Sequence, residues 1–150
     1  MKRVYKEALS FIALVFIPLF VISCSSSKYS AVKFKTGNYG FSMSDSTANT
    51  LIEGTIKLDT NAEGKIYGSY SITKKYVNDF PGLSTMTGSC EGTYVKSEGL
   101  IHLNMNPKLA DANVFINAKI YRNSLAGDWA FSTFRNAMSN KGKFVATYTD

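Results

Sequence analysis

The residue types that most often carry catalysis are few in this chain and do not form a recognisable constellation. The only histidine, His102, alternates away from its apolar neighbours, and the carboxylates Glu53, Glu91 and Asp128 are spread along polar strand faces. A nucleophilic serine or cysteine needs a base within hydrogen-bond reach, and a metal site needs several converging ligands. The sequence has no C-x-x-C motif, histidine pair or phosphate-binding glycine loop. We therefore predict no enzymatic activity, no cofactor and no bound metal.

Aromatic side chains give the stronger signal for binding. By alternation, four of them share the inward faces of predicted strands: Tyr70, Tyr94, Trp129 and Phe131. Core filling accounts for any one of them. Buried tyrosine and tryptophan also need hydrogen-bond partners for their polar tips, so three such residues predict a partly polar cavity for a small apolar or amphipathic ligand.

A long connection from Lys75 to Gly88 offers a second candidate site. Its apolar residues include Tyr76, Phe80 and Leu83, and loops of this length in compact domains usually have a function. As a lid it would gate a ligand in a barrel mouth, and as a protruding loop it would contact another protein through those three residues. As a plug it would simply cap the hydrophobic interior.

A two-residue period predicts the elements that position these side chains. From Leu51 to Asp59 the apolar residues share one face and the polar residues the other, and turn residues follow at 60–64. The same period recurs in seven further segments, one of which is a strand from Phe34 to Met43 that bends at Gly37. No segment after Cys24 shows a long helical period, so we predict an all-β domain of eight antiparallel strands.

An open sheet of eight strands would leave two unpaired edges, and closure into a barrel removes them. An eight-stranded up-and-down barrel has an interior that is just filled by side chains or just holds one small ligand. Glycines at inward positions are typical of strand bends and bulges in such a barrel, and the chain has five: Gly54, Gly68, Gly92, Gly127 and Gly142.

Three of the strand spacings resemble those of calycin barrels, the lipocalin and avidin type: Ile66-x-Gly68-x-Tyr70, Leu125-x-Gly127-x-Trp129 and Gly142-x-Phe144. This resemblance covers residues 32–148 and implies the fold without a specific ligand. The segments 125–129 and 137–144 are also similar to barrel domains of surface lipoproteins that bind transferrin or complement. That similarity implies a protein partner.

The first segment of the chain has the layout of an export signal helix. A basic start is followed by an apolar run from Ala8 to Ile22 and a small-residue stop at Ser23. The run is about 15 residues long and contains Pro18, whereas a membrane-spanning helix needs about 20. Removal of the leader would lower the formal net charge from +6 to about +4. The remaining lysines are scattered, which argues against nucleic-acid binding.

The junction Val21-Ile22-Ser23-Cys24 resembles the bacterial lipobox. The resemblance implies cleavage after Ser23 and an acyl and diacylglycerol anchor on Cys24. Several acyl chains buried in the membrane would make this attachment permanent. Ser25 in the next position implies sorting to the outer membrane. Ordinary secretion with a free cysteine is the alternative. If Cys24 carries lipid, Cys90 lacks a disulfide partner, and we interpret it as a small core residue.

The predicted organisation is a lipoprotein signal peptide at 1–23, a flexible spacer at 24–31 and a single barrel domain at 32–150. The leading hypothesis is a non-enzymatic, lipid-anchored lipoprotein of the bacterial envelope that binds a small apolar or amphipathic ligand inside its barrel. The alternative is a protein-interaction lipoprotein with a filled barrel, such as an inhibitor, adhesin or host-factor binder. A cavity beside Trp129 would favour the first hypothesis, and a filled interior the second.

Overall fold

The computed structural model of this 150-residue chain describes residues 33–134 and 140–149, so the predicted signal peptide and spacer lie outside the described residues. The described part forms eight β-strands: β1 (Gly37–Asp45), β2 (Thr50–Thr60), β3 (Lys65–Lys75), β4 (Thr87–Val95), β5 (Leu100–Asn104), β6 (Asn113–Tyr121), β7 (Ser124–Ser132) and β8 (Asn140–Thr149). Within these ranges no helix is long and apolar enough to cross a membrane.

Each strand pairs antiparallel with the next, and β8 pairs with β1, so the sheet closes into an up-and-down barrel. Every strand then has a neighbour on both sides. The predicted all-β class and the eight-stranded antiparallel barrel are confirmed, and this architecture is compatible with a calycin-like fold.

Side chains of alternating residues on all eight strands fill the barrel interior. Those that are completely buried include Met43, Ile52, Leu58, Ile66, Ile101, Met105, Val114, Ile116 and Phe144. These are the inward positions that the two-residue period predicts, because successive side chains of a strand point to opposite faces of the sheet. The buried core of the described residues contains no charged side chain.

The five inward glycines lie where the backbones of adjacent strands leave no room for a side chain. A Cβ atom at any of them would lie between 1.8 and 2.3 Å from a carbonyl oxygen of a neighbouring strand. At Gly54 the register with β3 also shifts by one residue, which is a bulge. The inward glycines therefore relieve crowding in a strongly coiled sheet, as the sequence predicts.

At one end of the barrel, called the turn end, the strands are joined by the short turns at 61–64, 96–99 and 122–123, and the chain enters the domain there. Phe34 is buried across this end, with ring centroids 6.4 Å from Tyr39 and 5.6 Å from Tyr94. The prediction of a strand that starts at Phe34 was wrong. Gly37 has a φ of 136°, which interrupts the extended backbone, so β1 begins only at Gly37.

The opposite end, called the loop end, carries the turn at 46–49 and the longer connections at 76–86 and 105–112. Phe80 and Leu83 of the first long loop are buried, and the Phe80 ring lies 4.9 Å from the Trp129 ring. The sequence left three roles open for this loop: a lid, a protruding contact loop and a plug. In the structure the loop is a plug. Both ends of the barrel interior are thus closed by aromatic side chains of the chain itself.

Replacing Gly127 tests the crowding of the interior. In Gly127→Ala the new methyl group would lie 2.0 Å from the carbonyl oxygen of Asn117, so the backbone must shift. We expect a loss of about 3 kcal/mol in the free energy of unfolding, the upper part of the range for overpacking. Gly40→Ala is the control, because its nearest neighbour lies 3.8 Å away. Equal urea unfolding midpoints for the two variants would contradict this account.

Removing the plug should expose Trp129. We expect Phe80→Ala to lower the free energy of unfolding by about 3 kcal/mol, as other large-to-small core changes do. Water that reaches the indole should shift its fluorescence to longer wavelength. Tyr76→Ala changes the same loop at a residue that is 47% exposed, and it should alter stability by less than about 1 kcal/mol with no spectral shift. Indistinguishable spectra for Phe80→Ala and the parent protein would show that Phe80 does not cover Trp129.

Candidate functional site

The four aromatic residues predicted to line a ligand cavity are not gathered in one place. Tyr70 and Trp129 are buried, whereas Tyr94 and Phe131 are partly buried at the edge of the core. Tyr94 contacts Phe34 at the turn end. Phe131 lies against Gly82 in the loop that plugs the opposite end.

The polar tips of the buried aromatic side chains find partners within the chain. The indole Nε1 of Trp129 donates a hydrogen bond of 2.8 Å to the carbonyl oxygen of Ser44. The Tyr39 hydroxyl donates to the carbonyl oxygen of Lys35, and burial, aided by Tyr148, raises the pKa of Tyr39 to about 12. These tips therefore do not require a polar cavity, and no buried side-chain nitrogen or oxygen of the described residues lacks a hydrogen bond.

Tyr70 follows the same rule near the loop end. Its hydroxyl is hydrogen-bonded to Thr85 of the long loop, and burial is the main cause that raises the pKa of this tyrosine. The centre of the barrel is filled by apolar side chains, among which the rings of Phe41 and Phe144 stack at 6.2 Å. A space of about 770 Å³ opens on the outer wall of the barrel, lined mainly by outward-facing residues, and Trp129 is also among its lining residues.

Hydrogen bonds fix the plug to the next loop. The side-chain amide of Asn106 donates to the carbonyl oxygens of Gly82 and Ala112, the latter at 2.9 Å. Lys75 donates from Nζ to the carbonyl oxygen of Leu83 at 3.3 Å. The segments 76–86 and 105–112 therefore form one connected surface at the loop end.

This surface contains a crevice of about 350 Å³, which lies between Phe80, Leu83, Leu109 and Ala112. Three large apolar side chains of the loop end are about half exposed: Tyr76, Met86 and Leu109. Tyr76 also donates from its hydroxyl to Oε2 of Glu53 at 3.0 Å, which orients its ring. Of these three residues, Leu109 lines the crevice. A crevice and exposed apolar and aromatic side chains at one end of a domain are typical of a protein-binding surface.

Of the three loop residues predicted to contact a partner, the structure leaves one accessible. Tyr76 is exposed, whereas Phe80 and Leu83 are buried as parts of the plug. Met86 and Leu109 were not among the predicted contact residues. Leu109 could have been recognised as a lone apolar residue among polar loop residues, but only the structure places it beside the segment 76–86.

The remaining candidates for chemistry lie apart from one another. His102 is exposed on the outer face of β5, as alternation predicts, and no three potential metal ligands converge in the part of the chain that the structure describes. Cys90 is buried, and burial, with a smaller contribution from the charge of Glu91, raises the pKa of its thiol to about 12. A thiol in this setting is unreactive.

The Ser44 carbonyl that accepts from Trp129 is followed directly by a tightly bonded turn. Asp45 accepts hydrogen bonds from the side chain and backbone of both Asn49 and Thr47. Hydrogen bonding, above all from the Asn49 side chain, lowers the pKa of Asp45 to about 2.

No protein-family description matches this chain, and no curated protein matches it either.

Proposed function

We propose that this chain is a non-enzymatic lipoprotein of the bacterial envelope, anchored to the outer membrane through Cys24, which binds a partner protein through its loop end. The observation that carries the proposal is the filled interior, which is closed by Phe34 at one end and by Phe80 at the other. Recognition then takes place on the outside of the barrel. A small apolar ligand inside the barrel would first have to displace Phe80 and Leu83 from buried positions.

The point where the chain enters the barrel supports the choice of the loop end. Lys35 donates from Nζ to Asn123 at 2.8 Å, and the same nitrogen lies 4.9 Å from the centre of the Tyr148 ring, so the entering segment is held at the turn end. The residues between Cys24 and Lys33 span at most about 30 Å when extended. An anchor on Cys24 therefore keeps the turn end towards the membrane and leaves the loop end facing outward.

The chemistry of the loop end supports a protein as the partner. The crevice of about 350 Å³ is large enough for an inserted side chain, and Leu109 lines it. Tyr76 and Met86 add exposed apolar contact area elsewhere on the loop end. The hydrogen bonds of Asn106 keep this surface ordered before binding, which reduces the entropy lost on association.

The anchor can be tested by counting thiols in the full-length protein purified in detergent. Cys90 is inaccessible in the folded state, and an acylated Cys24 has no free thiol, so the folded protein should not react with a thiol reagent. After denaturation we expect one reactive thiol per chain, and none in Cys90→Ala. Cys24→Ala should also lose labelling by an alkyne fatty acid. Two thiols in the denatured parent protein, or equal labelling of the variant, would refute the anchor.

Site-specific photo-crosslinking in the protein's own host tests the partner surface. We expect a photoreactive residue in place of Tyr76 or Met86 to give a discrete crosslinked protein. The same residue in place of Glu63, which is exposed in a turn at the opposite end, should give none. With that partner purified, Tyr76→Ala should weaken binding about tenfold, since exposed aromatic residues around pockets are frequent hot spots. Equal crosslinking from Glu63, or none from the loop end, would exclude this surface.

A further inference from the structure

A row of polar side chains crosses the outer wall of the barrel on strands β4 to β8. The strand registers place five residues side by side: Thr93, His102, Asn117, Asp128 and Lys143. Two positions along the same strands, a parallel row consists of Glu91, Asn104, Phe115, Ala130 and Lys141. Together the two rows line a groove of about 770 Å³, which we call the wall groove.

Contacts between adjacent strands hold the middle of the wall groove in place. Nδ1 of His102 lies 2.5 Å from Oδ1 of Asn117, and Nζ of Lys143 donates to Oδ1 of Asp128 at 2.7 Å. Because an amide oxygen only accepts, Nδ1 of His102 is the donor of this contact. The second carboxylate oxygen of Asp128 and the amide nitrogen of Asn117 add an acceptor and a donor.

The charges of the wall groove select against charged ligands. Two cations, Lys141 and Lys143, and two anions, Glu91 and Asp128, line the groove, and Lys143 is paired with Asp128. Because the two signs balance, the groove gives neither an anionic nor a cationic ligand a net electrostatic attraction. A neutral ligand whose groups both donate and accept can satisfy every side chain of the row, and hydroxyl groups have this property.

The closed sheet excludes a peptide that binds as an added strand. Each strand pairs with both of its neighbours, and the residues of the two rows lie within the paired stretches of β4 to β8, so the wall groove offers no free edge to an extended peptide. Recognition on the wall must use side chains alone. Phe115 supplies an apolar surface for such recognition, because its ring is 41% exposed between Asn104 and Ala130.

We infer that the wall groove binds a neutral carbohydrate chain. Sugar hydroxyls pair with the polar row of His102, Asn117 and Asp128, and the apolar face of a sugar ring packs on Phe115. The length of the groove across five strands matches an extended oligosaccharide better than a single sugar. This site is separate from the loop-end surface and does not depend on the function proposed there.

Titration of the full-length protein in detergent with neutral oligosaccharides of three to six sugars tests the inference. The probes are β-1,4-linked glucose, β-1,4-linked N-acetylglucosamine and α-1,4-linked glucose chains, followed by calorimetry. We expect at least one series to bind, and Phe115→Ala and Asn117→Ala each to weaken that binding by about tenfold. Tyr121→Ala is the matched control on the same strand, because this residue is exposed outside the wall groove and should leave the affinity unchanged.

Three outcomes would overturn the inference: binding to none of the three series, equal affinity in Phe115→Ala and the parent protein, or binding confined to an anionic polysaccharide. An anionic ligand should bind more tightly to Asp128→Asn, whereas a neutral chain should bind less tightly. Tyr76→Ala separates this site from the loop end, since it should weaken only the protein partner. Asn117→Ala should conversely leave the loop-end crosslink intact.

Discussion

The narrow interior of an eight-stranded barrel is the constraint on which the rest of this structure depends. Such a barrel has room for side chains and little more. Here the backbones approach so closely that five inward positions accept only glycine, and at four of them a side chain of a neighbouring strand also occupies the space that the glycine leaves. The Cys90 sulfur and a Leu58 methyl, for example, lie within 3 Å of where a Cβ of Gly68 would be. The chain therefore uses its own interior volume completely.

Closing the barrel removes the strand edges but leaves two open ends, and the chain covers both. Phe34 crosses the turn end before the first strand begins, and Phe80 covers Trp129 at the loop end. Asn106 holds the plug by a hydrogen bond to the carbonyl oxygen of Gly82. The indole nitrogen of Trp129 is satisfied by a different backbone carbonyl, that of Ser44. Because the chain itself fills the interior and covers both ends, the donors, acceptors and apolar area that a ligand could contact lie on the outer surface.

The two-residue period predicted all eight strands and the inward glycines, because it records which face of each strand is buried. It did not predict what crosses the ends of the barrel. Phe34 reads as one more inward residue, and only the conformation of Gly37 separates it from β1. The partner of Trp129 was equally hidden, since the accepting carbonyl of Ser44 lies 85 residues away. The predicted cavity rested on polar tips whose partners are backbone atoms, and a sequence does not show where those lie.

The wall groove shows a different limit of the sequence. Alternation places His102, Asn117 and Asp128 on outward faces, but a row arises only because the two registers between their three strands align them. The strand pairing that aligns the row also engages the main-chain donors and acceptors of the wall in hydrogen bonds. The specificity of the wall groove therefore comes from side chains at fixed spacing. The connections at the loop end are not paired in a β-ladder, and some of their apolar residues line a crevice. A regular wall suits a repetitive, extended ligand, whereas an irregular end suits a partner with one complementary protrusion.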